Sequence, residues 1–87
     1  MKLTMIGSYL CQDTIYALVK VKDLGAEVEY KDISTSFPAL KEFMNLREKS
    51  ELFVEVKKND KLGIPLFVLE DGTQTLSLEE VLERLRK

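Results

Sequence analysis

Apolar positions along the chain change period several times, and each change predicts an element. Residues 2–6 form a short apolar run, Leu3, Met5 and β-branched Ile6 included, which predicts a buried strand. Gly7 and Ser8 interrupt it. Over residues 12–24, Ala17, Leu18, Val21 and Leu24 recur at helical spacing, with Lys20, Lys22 and Asp23 opposite. Gly25 follows as the residue that ends this helix. Residues 27–33 alternate polar and apolar side chains at their start, the pattern of a half-buried strand.

Ser34, Thr35 and Ser36 supply N-cap oxygens, and Pro38 stands where a first helical turn tolerates a missing N–H. Leu40, Phe43, Met44 and the stem of Arg47 are the expected inner face of this second helix. Ser50 caps a further segment through Phe53, Val54 and Val56, for which helix is favoured over strand because charged residues flank the valines. Residues 59–63 are a loop, and Ile64-Pro65 leads into the apolar run Leu66-Phe67-Val68-Leu69, a central strand. Asp71-Gly72 is a hairpin turn, after which residues 74–76 return as an edge strand. Ser77 and Glu80 have the spacing of a capping box before a last helix packed by Val81, Leu82 and Leu85. Phe37, Phe43, Phe53 and Phe67 are all expected in the core.

The order is strand, helix, strand, helix (one or two), strand, strand, helix. A strand–helix–strand crossover makes the first pairing parallel, and the hairpin makes the second antiparallel. The expected architecture is α/β: one mixed four-stranded sheet flanked by three or four helices. The 87 residues, 45% hydrophobic and 32% charged, form one globular domain spanning 1–87. A formal charge of −2, with lysines interleaved among acids, gives no footprint for nucleic acid. No run approaches the ~20 apolar residues needed to span a bilayer, so no membrane partner is expected. A single cysteine excludes an internal disulfide framework and points to a reducing, cytoplasmic setting. The absence of histidine removes the commonest metal ligand and general base, so no metal site is expected.

That single cysteine, Cys11, carries the candidate chemistry. It lies between the end of a strand and the start of a helix, where unpaired N–H groups and the helix dipole favour a thiolate. The Asp13 carboxylate, two residues on, opposes that effect. The alternative for Cys11 is a buried cysteine acting as a small hydrophobe.

In element order and motif the chain resembles the glutaredoxins of the thioredoxin-fold superfamily over nearly its whole length. Cys11-Gln12-Asp13-Thr14 lies where that family carries Cys-Pro-x-Cys, and Gly63-Ile64-Pro65 is similar to its Thr-Val-Pro segment, whose proline is cis and faces the reactive cysteine. The resemblance implies thiol–disulfide exchange with Cys11 as nucleophile. Thr14 replaces the second cysteine, so exchange is monothiol; one helical turn from Cys11, the Thr14 hydroxyl is either a hydrogen-bond donor to the thiolate or simply a first-turn helix residue bonding locally. Tyr9, Gln12, Ile64, Pro65 and Ser77 make the expected substrate-binding set. No tightly bound cofactor is implied. Glutathione or another small thiol is the cosubstrate, the partner is a small thiol or a protein disulfide, and the chain is a monomer. Two further readings stand beside this one: a non-catalytic binding module that keeps the fold and its groove, and an iron–sulfur carrier. The carrier ranks last because the residues around Cys11 differ from the Cys-Gly-Phe-Ser pattern of that role.

Overall fold

The computed structural model describes Met1–Lys87. The chain runs β1 (Lys2–Gly7), α1 (Gln12–Asp23), β2 (Glu27–Asp32), α2 (Phe37–Lys49), a 3-10 turn (Glu51–Phe53), α3 (Val54–Lys58), β3 (Leu66–Leu69), β4 (Gln74–Thr75) and α4 (Leu78–Arg86). The four strands form one open mixed sheet in the order β2-β1-β3-β4. β1 pairs parallel with β2, Leu3 opposite Val28 and Gly7 opposite Asp32, and antiparallel with β3, Met5 opposite Phe67. β4 pairs antiparallel with β3 through Phe67–Thr75 and Val68–Gln74. No helix is long and apolar enough to cross a membrane.

Side-chain alternation along β1 and β3 divides the core between the two sheet faces. Leu3, Met5, Phe67 and Leu69 face Ala17 and Val21 of α1 and Val81 of α4. Ile6 and Leu66 point the other way, onto Phe43 of α2 and Phe53 of the 3-10 turn, whose rings meet edge to face at 5.8 Å. Both clusters need β1 and β3 at the centre, so each of these strands buries apolar side chains on both faces of the sheet.

Helix ends follow local chemistry. Ala26 N–H donates to the Val21 carbonyl and Gly25 N–H to that of Lys22, the Schellman pair that ends α1, with Gly25 at φ +86°. Ser36 Oγ accepts from Ala39 N–H to start α2, and Ser50 Oγ accepts from Leu52 N–H.

Four local expectations change. Phe37 lies outside the core, 69% exposed, because it is the first residue of α2 and faces away from the sheet, with Lys41 Nζ 5.6 Å from its ring centre. The inner face of α2 is Ala39, Phe43 and Leu46, and Met44 is exposed. Leu24 is exposed too, since α1 has ended at Asp23. At α4 only half of the capping box forms. Ser77 Oγ accepts from Glu80 N–H, but Ser77 N–H donates to Thr75 Oγ1, and that hydroxyl meets Glu80 Oε1 at 3.4 Å. Thr75, buried in the short edge strand, has taken the position that the Glu80 carboxylate was expected to fill.

Candidate functional site

Cys11 is the N-cap residue of α1, half-buried, with extended backbone (φ −106°, ψ 120°). No side chain caps this helix start. An N-cap Ser or Asp would offer oxygen to the first free N–H groups, whereas Cys11 puts a sulfur, a weak acceptor, in that position. The turn Ser8-Tyr9-Leu10-Cys11 delivers it, closed by Cys11 N–H donating to the Ser8 carbonyl at 3.0 Å.

On one side Cys11 opens onto a groove of about 430 Å³ lined by Asp13, Val56, Lys61, Leu62, Gly63, Ile64, Pro65 and Leu76. A second hollow of about 260 Å³ shares Asp13, Ile64, Pro65 and Leu76 and extends the groove to Tyr16, Phe67 and Leu78. The Ile64–Pro65 peptide bond is cis. Neither the N–H nor the C=O of Ile64 makes a hydrogen bond within the chain, so both remain free for a ligand in extended conformation. Asp13 and Lys61 form no ion pair and give an otherwise apolar groove one charge of each sign.

Two features absent from the sequence reading build the wall of this groove. Arg47 of α2 donates from Nε to the Leu62 carbonyl at 2.8 Å and from Nη2 to the Lys61 carbonyl at 2.7 Å, fastening the loop over residues 59–63. Gly63, at φ +92°, lies against Phe53, where an added Cβ would come within 2.7 Å of the ring. The helical pattern places the Arg47 stem on the inner face of α2, but no sequence spacing links its guanidinium to a loop carbonyl.

The expected site residues separate. Cys11, Ile64 and Pro65 meet in the groove. Gln12 is exposed at the first position of α1 and does not line it. Ser77 is occupied as the cap of α4 and also lies outside the groove. Thr14 takes a different role from the thiolate partner expected. It is fully buried, its Oγ1 accepts from Ser8 N–H at 3.3 Å, and it makes no hydrogen bond to Cys11 Sγ. A Cβ on Gly7 would fall 2.6 Å from Thr14 Cγ2, so Gly7 and Thr14 fit one another where β1 meets α1.

Tyr9 lies on the other side of Cys11, half-exposed, its ring 4.8 Å from that of Tyr30. Behind them stands Asp32, only 7% exposed, at the end of β2. Burial works to raise the Asp32 carboxyl. The Ser34 hydroxyl and N–H, with smaller contributions from the nearby Thr35 hydroxyl and Tyr9 N–H, outweigh it and hold the group below its ordinary range. Tyr30 moves the opposite way, pushed up from 10.0 to about 12 by burial first, then by the negative charges of Asp32, Tyr9 and Cys11. Tyr30 Oη and Asp32 Oδ2 are both buried without a hydrogen-bond partner.

No family model matches the sequence. No solved structure matches it either. A protein of Haemophilus influenzae described as uncharacterized is 37% identical over 71 residues, which covers 82% of this chain and 83% of that protein.

Proposed function

The chain belongs to the same family as that Haemophilus influenzae protein, and we propose that it carries out monothiol thiol–disulfide exchange through Cys11, on a glutaredoxin-like variant of the thioredoxin fold. The observation that carries this reading is the groove in which Cys11 and Ile64-Pro65 meet. The mixed sheet in the order β2-β1-β3-β4, with helices on both faces, supports the fold. In the reaction the Cys11 thiolate attacks one sulfur of a disulfide, forms a mixed disulfide and expels the other sulfur as a thiolate. With no second cysteine in the chain, an external thiol must attack the mixed disulfide, releasing the product disulfide and restoring Cys11. A small thiol such as glutathione, or a protein thiol, fills that role. Ile64 contributes its free N–H and C=O to align the substrate backbone, and Val56, Leu62 and Leu76 offer its side chains an apolar wall.

A second reading, a non-catalytic binding module, draws on the lack of any hydrogen bond to Cys11 Sγ and on the exposed Tyr9, Leu10, Tyr16 and Leu62 around it. One experiment separates the two. Incubation with bis(2-hydroxyethyl) disulfide, followed by mass spectrometry, is expected to give a mixed disulfide on the wild type and none on Cys11→Ser. Added glutathione is expected to reverse it. A wild-type thiol that stays unmodified would discard exchange in favour of the binding module.

A further inference from the structure

A chain of hydrogen bonds runs from the buried carboxylate of Asp32 to the turn that carries Cys11. Ser34 donates twice to Asp32 Oδ1, from Oγ at 2.6 Å and from its N–H at 3.0 Å. Ser8 Oγ donates to Ser34 Oγ at 3.0 Å, and Leu10 N–H donates to Ser8 Oγ at 3.0 Å. Each oxygen accepts from the next member, so the direction of the whole series is set by an acceptor-only group at its root, which an ionised carboxylate is. The backbone supports the same connection. Gly7 is paired with Asp32 across the β1–β2 ladder, and Ile33 N–H donates to the Gly7 carbonyl at 2.9 Å. Leu10, the last member, is 87% exposed, so its N–H bond to Ser8 Oγ, together with the Cys11 N–H bond to the Ser8 carbonyl, fixes the turn next to the cysteine.

We propose that Asp32 is a positioning residue for Cys11, acting through Ser34 and Ser8 to hold the Ser8–Cys11 turn so that the thiol faces the Pro65 groove. The proposal rests on the exchange reading above. Asp32 touches neither the sulfur nor the substrate; it determines where the turn lies. The ordering of the turn in turn determines whether a disulfide seated on Ile64 meets Cys11 Sγ in line. A small, freely tumbling electrophile needs no such alignment, because it approaches the sulfur from any open direction. A disulfide held in the groove does need it, and displacement of a reacting group by about 1 Å costs up to roughly 100-fold in rate.

The test compares two reagents on the full chain: iodoacetamide, and a peptide disulfide long enough to lie along the groove. Asp32→Ala and Ser34→Ala are each expected to slow mixed-disulfide formation with the peptide by roughly 10- to 100-fold, while alkylation by iodoacetamide changes less than about threefold. Ser34→Thr, which keeps the hydroxyl, is expected to restore the peptide rate. The double variant should lose no more than either single one, since both break one series. Ser34 lies in an exposed turn, so its variants keep the test valid if Asp32→Ala does not fold. An unchanged peptide rate in folded Ser34→Ala would overturn the proposal. A rise in both rates on Asp32→Ala, with Ser34→Ala unchanged, would overturn it differently, by showing that the carboxylate acts through repulsion of the thiolate. A wild type inert to the peptide but open to iodoacetamide would instead remove the exchange reading itself.

Discussion

Tyr30 shows how one side chain can record the charge balance of its surroundings. Its ring completes the core beneath α1, yet its hydroxyl is buried without a partner and faces the negative side of the site. Ionising it would first bury a phenolate away from water and then set it among Asp32, Tyr9 and Cys11, which is why its pKa rises to about 12. A pKa raised in the folded state means a stability contribution complete below the unfolded value of 10.0 and lost as pH climbs from there to about 12. Absorbance at 295 nm is therefore expected to show a late tyrosinate component near pH 12 that Tyr30→Phe removes. Because the hydroxyl has no partner to lose, the same variant is expected to cost less than about 1 kcal/mol in urea denaturation at neutral pH. An earlier titration, or a cost of several kcal/mol, would mean that the hydroxyl is paired in solution.

Between elements, a small number of directed contacts decide the shape of the groove. Pro65, just before β3, and Leu76, just after β4, line it, and its outer wall is a loop with no regular structure of its own. Arg47 holds that loop with two hydrogen bonds from one planar group, reaching carbonyls of adjacent residues. A lysine has one ammonium centre and cannot reproduce this fork. Arg47→Lys and Arg47→Ala are accordingly expected to behave alike. Both should raise hydrogen exchange at residues 59–63 and weaken peptide-disulfide reaction at Cys11, with a loss of about 1–3 kcal/mol in stability. A lysine variant that matches the wild type in both readouts would assign the loop's order to packing on Phe53 and Val56 instead.

At the scale of the whole molecule, two clusters on opposite sheet faces share β1 and β3, and the last helix is tied back to the hairpin. Arg84 of α4 pairs with Asp71 at 3.2 Å, and the Asp71 carboxylate also accepts from Thr73. The Thr73 hydroxyl and N–H first, and then Arg84, lower Asp71 from 3.8 to about 2. A depressed carboxylate gives stability present above its unfolded pKa and lost as pH falls through the folded one. Asp71→Asn is thus expected to lower Tm at neutral pH, with the gap closing as pH drops from 3.8 to about 2. A gap that persists at pH 2 would show that charge is not what Asp71 contributes. Asp32 follows the same sign, so its share of stability also fades on acidification, below the ordinary carboxylate range.

The sequence by itself determined the elements, their order and the two pairing directions, because hydrophobic period, cap residues and turn residues act over a few neighbouring positions. Leu66–Leu69, the Asp71-Gly72 turn and the Ser36 and Gly25 helix ends were all legible for that reason. The place of Cys11 at a helix start was legible too, from the break at Gly7-Ser8. Tertiary structure alone decided what each side chain near it does. Thr14 has the spacing of a thiolate partner, but the close approach of Gly7 turns its hydroxyl to Ser8 N–H. Ser77 and Gln12 lie near in pattern and outside the groove in space, and Phe37 begins a helix on its outward face. Arg47, Ser34 and Asp32 act on segments far from them along the chain. Hydrogen bonds of that kind depend on the direction of a donor within a fraction of an ångström, and local periodicity carries no information about that.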